Sequence, residues 1–188
     1  MNSLIIDACI SDSSRTRGLA AYLQSKLIGD VDVVRLYETK PYSLDEKMLK
    51  NRDMAAEKHD VSDNMFAIAK QFARADTVIV AAPYWDLSFP AALKQYIEAI
   101  NVCGLTFRYT DTGMPVSLCN AKRLIYITTA GGYIVSDEFG FGYIKSVMEL
   151  FYGVKTFDYI KAEGLDIVGA DACGILRSAR EEIDKIEL

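Results

Sequence analysis

A chain of 188 residues is the size of one domain and long enough to bury one good core. It is 51% hydrophobic and 25% charged with a net charge of -5, a globular composition without the clustered Lys and Arg that a nucleic-acid backbone demands. Four cysteines (Cys9, Cys103, Cys119, Cys173) with no C-x-x-C pair, and a single histidine, leave no zinc or iron–sulfur spacing, and no run reaches the roughly 18 apolar residues of a membrane span.

The N-terminal MNSLIIDACI has no basic flank and only a short apolar run, so it does not read as a signal peptide. Free thiols suit a reducing cytoplasm. The run instead opens a first strand at 3–10. DVDVVRLY (30–37), DTVIVAAP (76–83) and KRLIYITT (122–129) follow, rich in Val and Ile with little alternation, as strands covered on both faces should be. A more mixed fifth run, 154–164, is expected at a sheet edge.

Helical spacing fills the intervals. Leu19, Tyr22, Leu23 and Leu27 share a face, with Gly29 as a stop signal. A short helix is expected over 44–52, and His59 in AEKHDVSD reads as a solvated loop residue. Met65, Ile68, Ala69 and Phe72 form the next stripe. Phe89, Leu93, Tyr96, Ile97 and Ile100 form another, with Ser88 as the expected cap and Pro90 in the first turn. Tyr143, Ile144, Val147, Met148 and Phe151 precede Gly153, and Ala172, Ile175, Leu176, Ala179, Ile183 and Ile186 make the last helix.

Strands alternating with helices predict one α/β domain over 1–188, a three-layer sandwich around a five-stranded parallel sheet. The order 2-1-3-4-5 is the flavodoxin-like arrangement. It creates a switch point between strands 1 and 3, and ligands bind there at the carboxyl ends of the strands.

Three loops leave those ends. The first, SDSSRTRG, sets Ser11, Ser13, Ser14 and Thr16 with Arg15 and Arg17 at a helix start, where unpaired N–H groups and the helix dipole favour an anion. Simple N-capping needs only one of those hydroxyls. The loop is neither a nucleoside-triphosphate P-loop nor a Gly-x-Gly-x-x-Gly turn. The second loop carries Tyr84, Trp85, Asp86 and Leu87 after Pro83; its aromatic faces suit a planar ring or, equally, a packed surface corner. The third, TTAGG, offers Thr129, Ala130, Gly131 and Gly132, whose glycines permit close backbone approach or an ordinary turn. The stretch 103–121 is long for a loop and reads as a lid and dimer arm carrying Phe107 and Tyr109, or as a surface insertion.

With these loops in place the chain resembles the FMN-dependent NADH:quinone oxidoreductase and azoreductase family. The most specific part is AAPYWDLSFPAALKQYIEAINVCGLTFRYTDTG (81–113); TTAGG (128–132) and AEG (162–164) add to it. The resemblance implies non-covalent FMN, with NADH or NADPH as co-substrate. It implies that Ser14, Arg15 and Thr16 hold the FMN phosphate. Pro83, Tyr84, Trp85, Asp86 and Leu87 would wrap the isoalloxazine and ribityl chain, and Thr129, Ala130, Gly131 and Gly132 would form the second flavin loop. Phe107, Tyr109 and Phe151 would line the substrate pocket, Tyr109 reaching over from the second subunit of a homodimer. Asp86 stands where asparagine is usual, and an ionised aspartate cannot donate a hydrogen bond.

The implied activity is a ping-pong reaction with no side-chain catalyst. A hydride passes from nicotinamide to flavin N5, and two electrons then pass to a quinone, azo compound or related flat acceptor. The absence of any nucleophile–base pair agrees with that, because such a cofactor carries the chemistry. A flavodoxin-like electron carrier and a cofactor-free regulatory protein are the competing readings. No metal, nucleic acid or membrane is expected to take part.

Overall fold

The computed structural model describes residues 1–41, 43–58 and 60–188; His59 lies outside the described residues. A parallel sheet of β1 (Asn2–Asp7), β2 (Asp30–Arg35), β3 (Thr77–Ala81), β6 (Arg123–Thr129) and β7 (Thr156–Ala162) forms the middle layer, in the order β2-β1-β3-β6-β7. The short strands β4 (Phe107–Tyr109) and β5 (Pro115–Ser117) pair antiparallel as a separate hairpin. The expected order 2-1-3-4-5 is corrected accordingly: in chain numbering the sheet runs 2-1-3-6-7, because the hairpin intervenes between the third and fourth strands of the sheet.

Alternation along the central strands sorts side chains into two cores. Leu4 and Ile6, Val78 and Val80, and Leu124 and Tyr126 face one side. There α4 (Ala67–Arg74), α5 (Ala91–Ile100) and α6 (Tyr143–Leu150) supply Phe72, Leu93, Tyr96, Ile97, Ile144 and Met148. Ile5, Ile79, Ile125 and Ile127 face the other side, covered by Leu19, Ala20 and Leu23 of α1 (Arg15–Gln24) and Ala179 and Ile183 of α7 (Ala172–Asp184). Burial on both faces is why these strands read as continuous apolar runs. The second strand departs from that expectation: β2 is an edge, and of its residues only Val34 is buried.

A one-turn helix, α2 (Leu36–Thr39), and the 12-residue α3 (Glu46–Glu57) follow β2. The second is longer than the 44–52 stretch expected, and none of its residues is fully buried. The α5 helix starts at Ala91 with Pro90 at its cap position, and no side chain caps it. Ser88 is therefore not the cap; its hydroxyl donates to the Phe139 carbonyl at 2.6 Å. Phe139 belongs to a single wide, π-type turn, Glu138–Gly142, that leads into α6. No helix among the described residues is long and apolar enough to cross a membrane.

Candidate functional site

Three loops meet at the carboxyl edge of β1, β3 and β6, and the sheet ladder continues into them. Ala8 N–H donates to Ala81 O (2.9 Å), Ala82 N–H to Ile127 O (3.0 Å) and Tyr84 N–H to Thr129 O (3.0 Å). The segment after β7 joins from the far side: Ala130 N–H donates to Ala162 O (2.9 Å), Gly164 N–H to Gly132 O (2.7 Å) and Asp166 N–H to Gly131 O (2.9 Å). Between them lies a cleft of about 350 Å³ lined by residues of all four segments, among them Ser14, Arg15, Tyr84, Trp85, Thr129 and Asp166. That volume falls within the usual range of small-molecule sites, about 300–1,000 Å³.

The first loop is held from below by Arg17. Its guanidinium donates to Asp7 Oδ2 (2.6 Å), to the Cys9 carbonyl (2.6 Å) and to Asp12 Oδ1 (2.7 Å). Arg17 is thus committed to the loop, which removes it from the group available to an anion. Ser14 caps α1, accepting from Arg17 N–H at 3.4 Å. Ser11 and Ser13 pair through their hydroxyls at 2.8 Å on the exposed rim. The first-turn N–H groups of Arg15 and Thr16 have no intrahelical partner by construction.

The expected binding residues divide. Ser14 and Arg15 line the cleft. Thr16 does not; it is buried, with its hydroxyl 2.7 Å from that of Thr129. Pro83, Tyr84 and Trp85 form the opposite wall, and Trp85 is 42% exposed there. Asp86 and Leu87 form the tip of a tight turn closed by Trp85 N–H to Ser88 O (3.1 Å) and Ser88 N–H to Trp85 O (2.7 Å). Both tip residues have positive φ, 50° and 68°, which such turns require and which glycine or asparagine normally supplies. Neither tip residue lines the cleft, whose wall on this side ends at Trp85.

In the third loop Gly131 lines the cleft, Ala130 is buried beneath it, and Gly132 lies outside the lining. A Cβ on Gly131 would fall 2.3 Å from Asp166 Oδ2, whereas one on Gly132 would meet open space. Close approach is therefore needed at Gly131 alone, and what approaches is Asp166.

Phe107, Tyr109 and Phe151 stand apart from this cleft within the chain. Their rings cluster edge to face, Phe107 lying 5.4 Å from Tyr109 and 5.0 Å from Phe151. Tyr109 borders a second hollow, of about 650 Å³, with Cys103, Arg108 and Leu118. The 103–121 stretch is thus a built hairpin rather than an irregular loop. A third, apolar groove of about 650 Å³ lies beside the cleft, lined by Ser88, Phe89, Phe139 and Tyr143 among others.

Sequence reasoning missed Asp166. It forks onto Arg15, Nη1 to Oδ1 at 2.8 Å and Nη2 to Oδ2 at 3.0 Å. The Arg15 guanidinium holds this carboxyl below the usual carboxylate range. Its position two residues beyond AEG was the only available signal. Among the described residues no group of three or more His, Cys, Asp or Glu could hold a metal ion.

A doubly wound sheet with a polar cradle and an aromatic wall at its switch point defines a flavodoxin-like protein, and comparison with known proteins agrees. The chain belongs to the flavodoxin-like fold family, whose profile matches residues 1–186. It is 44% identical over 119 residues to the FMN-dependent NADH:quinone oxidoreductase 2 of Clostridium acetobutylicum, a match covering 61% of this chain and 58% of that protein. It is 33% identical over 156 residues to the FMN-dependent NADH:quinone oxidoreductase of Coprothermobacter proteolyticus, covering 80% and 77%. The chain thus spans less than two thirds of the first of these relatives and more of the second. Among solved structures, an azoreductase from Bacillus anthracis superposes with a TM-score of 0.82 at 25% identity, over 98% of this chain and 97% of that one.

Proposed function

We propose that this chain is an FMN-dependent NAD(P)H oxidoreductase that reduces quinones, azo compounds or related flat aromatic acceptors. The observation that carries the reading is the meeting of a phosphate-suited helix start and an aromatic wall in one cleft. Ser14 and Arg15 stand on one side and Tyr84 and Trp85 on the other. The donor set fits FMN. Hydroxyls, a guanidinium and first-turn N–H groups suit a phosphate dianion, and an exposed Trp85 suits a tricyclic ring. The names of the relatives support the same assignment.

When bound, FMN would supply the hydride-accepting and two-electron redox chemistry. The chain's own residues bind and orient. Ser11, Ser13, Ser14 and Arg15 would hold the phosphate, and Thr129 and Gly131 would flank the ribityl chain. Tyr84 and Trp85 would face the ring, with the strained Asp86–Leu87 tip closing its edge. The apolar groove beside the cleft, with Phe89, Phe139 and Tyr143, would exclude water from the side where flat substrates arrive.

We further propose that the chain acts as a homodimer. Exposed Trp85, Leu87, Phe139 and Tyr109 are large apolar side chains that a partner would cover, and a second copy would bring the exposed Tyr109 toward a cleft it does not reach within one chain, whereas Phe107 is buried in its own chain. Four unpaired cysteines suit a reducing cytoplasm, and two cores sharing one sheet suit a single folding unit.

The test uses the only tryptophan as the reporter. FMN titrated into the flavin-free chain is expected to quench Trp85 fluorescence to saturation. Anaerobic NADH or NADPH should then bleach the bound flavin, and a quinone should restore its colour. Saturable binding without reduction by either nicotinamide would defeat the enzyme reading.

A further inference from the structure

We propose that Asp166 positions Arg15 for the FMN phosphate, so that this pair makes the cleft discriminate FMN from unphosphorylated riboflavin. The inference rests on the FMN reading above and adds to it a residue that neither the sequence pattern nor the loop composition indicates.

Arg15 is the first residue of α1. A cation at a helix N-terminus faces the positive end of the helix dipole, and a long flexible side chain there would turn to solvent unless something held it. Asp166 holds it. The fork from Nη1 and Nη2 occupies one hydrogen on each nitrogen, and Nη1 also donates to the Leu165 carbonyl at 3.4 Å. Three of the five guanidinium hydrogens are then used. The two that remain, on Nε and Nη2, share one edge of the planar group. A guanidinium edge with two parallel donors is the geometry that grips phosphate oxygens bidentately.

Asp166 is itself fixed. Its N–H donates to Gly131 O at 2.9 Å, and Leu165 N–H donates to Ala130 O at 3.2 Å, so the carboxylate rides on the third cleft loop. The missing Cβ of Gly131 is what lets it come that close. The pair also neutralises a carboxylate that would otherwise repel a dianion across the cleft. Arg15 and Asp166 remain 37% and 65% exposed, so their role is orientation of a charge rather than support of the fold.

The experiment measures FMN and riboflavin dissociation constants for the full flavin-free chain, by Trp85 quenching, in four forms: wild type, Asp166→Asn, Arg15→Gln and the double variant. Asp166→Asn is expected to weaken FMN about tenfold and to leave riboflavin within about twofold, because only the phosphate contact is lost. Arg15→Gln should weaken FMN at least as much, and adding Asp166→Asn to it should change nothing further, since Asp166 acts through Arg15. A role in loop integrity alone would weaken both flavins together and would overturn the proposal. So would unchanged or tighter FMN binding by Asp166→Asn, which would mark the carboxylate as bystander or competitor. A wild-type chain that binds neither flavin defeats the FMN reading and this inference together. One that binds FMN while Asp166→Asn binds it equally well defeats the inference alone.

Discussion

Thr16 Oγ1 and Thr129 Oγ1 lie 2.7 Å apart, both buried, and clamp the start of α1 to the end of β6 across 113 residues of sequence. Replacing one hydroxyl by a methyl leaves the other buried and unpaired, at a cost of about 1–3 kcal/mol. Thr16→Val and Thr129→Val are each expected to lower the urea midpoint accordingly. The double variant should recover most of the loss, because two apolar groups of the same shape leave nothing unsatisfied. Additive losses in the double variant would show that the clamp is not a mutual hydrogen bond.

Leu87 holds φ 68° at a turn tip, with 47% of its surface exposed. A left-handed conformation costs a branched residue about 1–2 kcal/mol, and glycine escapes that cost while losing about 0.5–1 kcal/mol to its greater freedom when unfolded. Leu87→Gly is therefore expected to stabilise the chain by up to about 1 kcal/mol in chemical denaturation. Leu87→Ala, still strained, should not; equal gains from both would place the strain elsewhere.

The two glycines of the third loop should behave differently. A methyl on Gly131 strikes the end of the Asp166 side chain, which can swing away, so Gly131→Ala should keep its fold but lose the Arg15 fork. Weakened FMN binding with an urea midpoint near that of the wild type is the expected result. Gly132→Ala projects into open space and should match the wild type in both measurements.

Trp85→Ala removes one face of the cleft wall. An aromatic contact is worth about 0.5–1.5 kcal/mol beyond area burial, so FMN affinity should fall between a few-fold and about tenfold by flavin-fluorescence titration. Unchanged affinity would remove this loop from the site.

Burial pushes the Cys9 and Cys119 thiols from 9.0 up to about 12, while Cys103 and Cys173 are exposed. A thiol reagent at about pH 8 should label the exposed Cys103 and Cys173 quickly, the half-buried Cys119 more slowly, and the buried Cys9 only on unfolding. The folded state keeps protons that the unfolded chain gives up, so the contribution is complete below about pH 9 and lost as pH rises toward 12. The urea midpoint should decline across that window, and a midpoint flat through it would show that these thiols are not desolvated.

Much of the architecture was legible from local pattern. Burial on both faces writes a continuous apolar run, as in 76–83 and 122–129, and the helices between show their apolar stripes. The hairpin of Phe107–Tyr109 and Pro115–Ser117 was not legible, because strands of three residues are too short for any period to register. Ser88 read as a cap from its place before Pro90; the nearness of the Phe139 carbonyl, a matter of packing, drew its hydroxyl elsewhere.

The sequence by itself determined the layered sheet and the positions of three loops at its carboxyl edge, since hydrophobic period, turn residues and helix starts are properties of neighbouring residues. Only the tertiary structure decided which side chains of those loops face the cleft. Arg17 turns inward to Asp7, Thr16 turns to Thr129, and Arg15 reaches across to Asp166. The last two choices depend on strand register and on the path of the chain after β7, which bring together residues more than a hundred positions apart, and no local pattern encodes such a meeting.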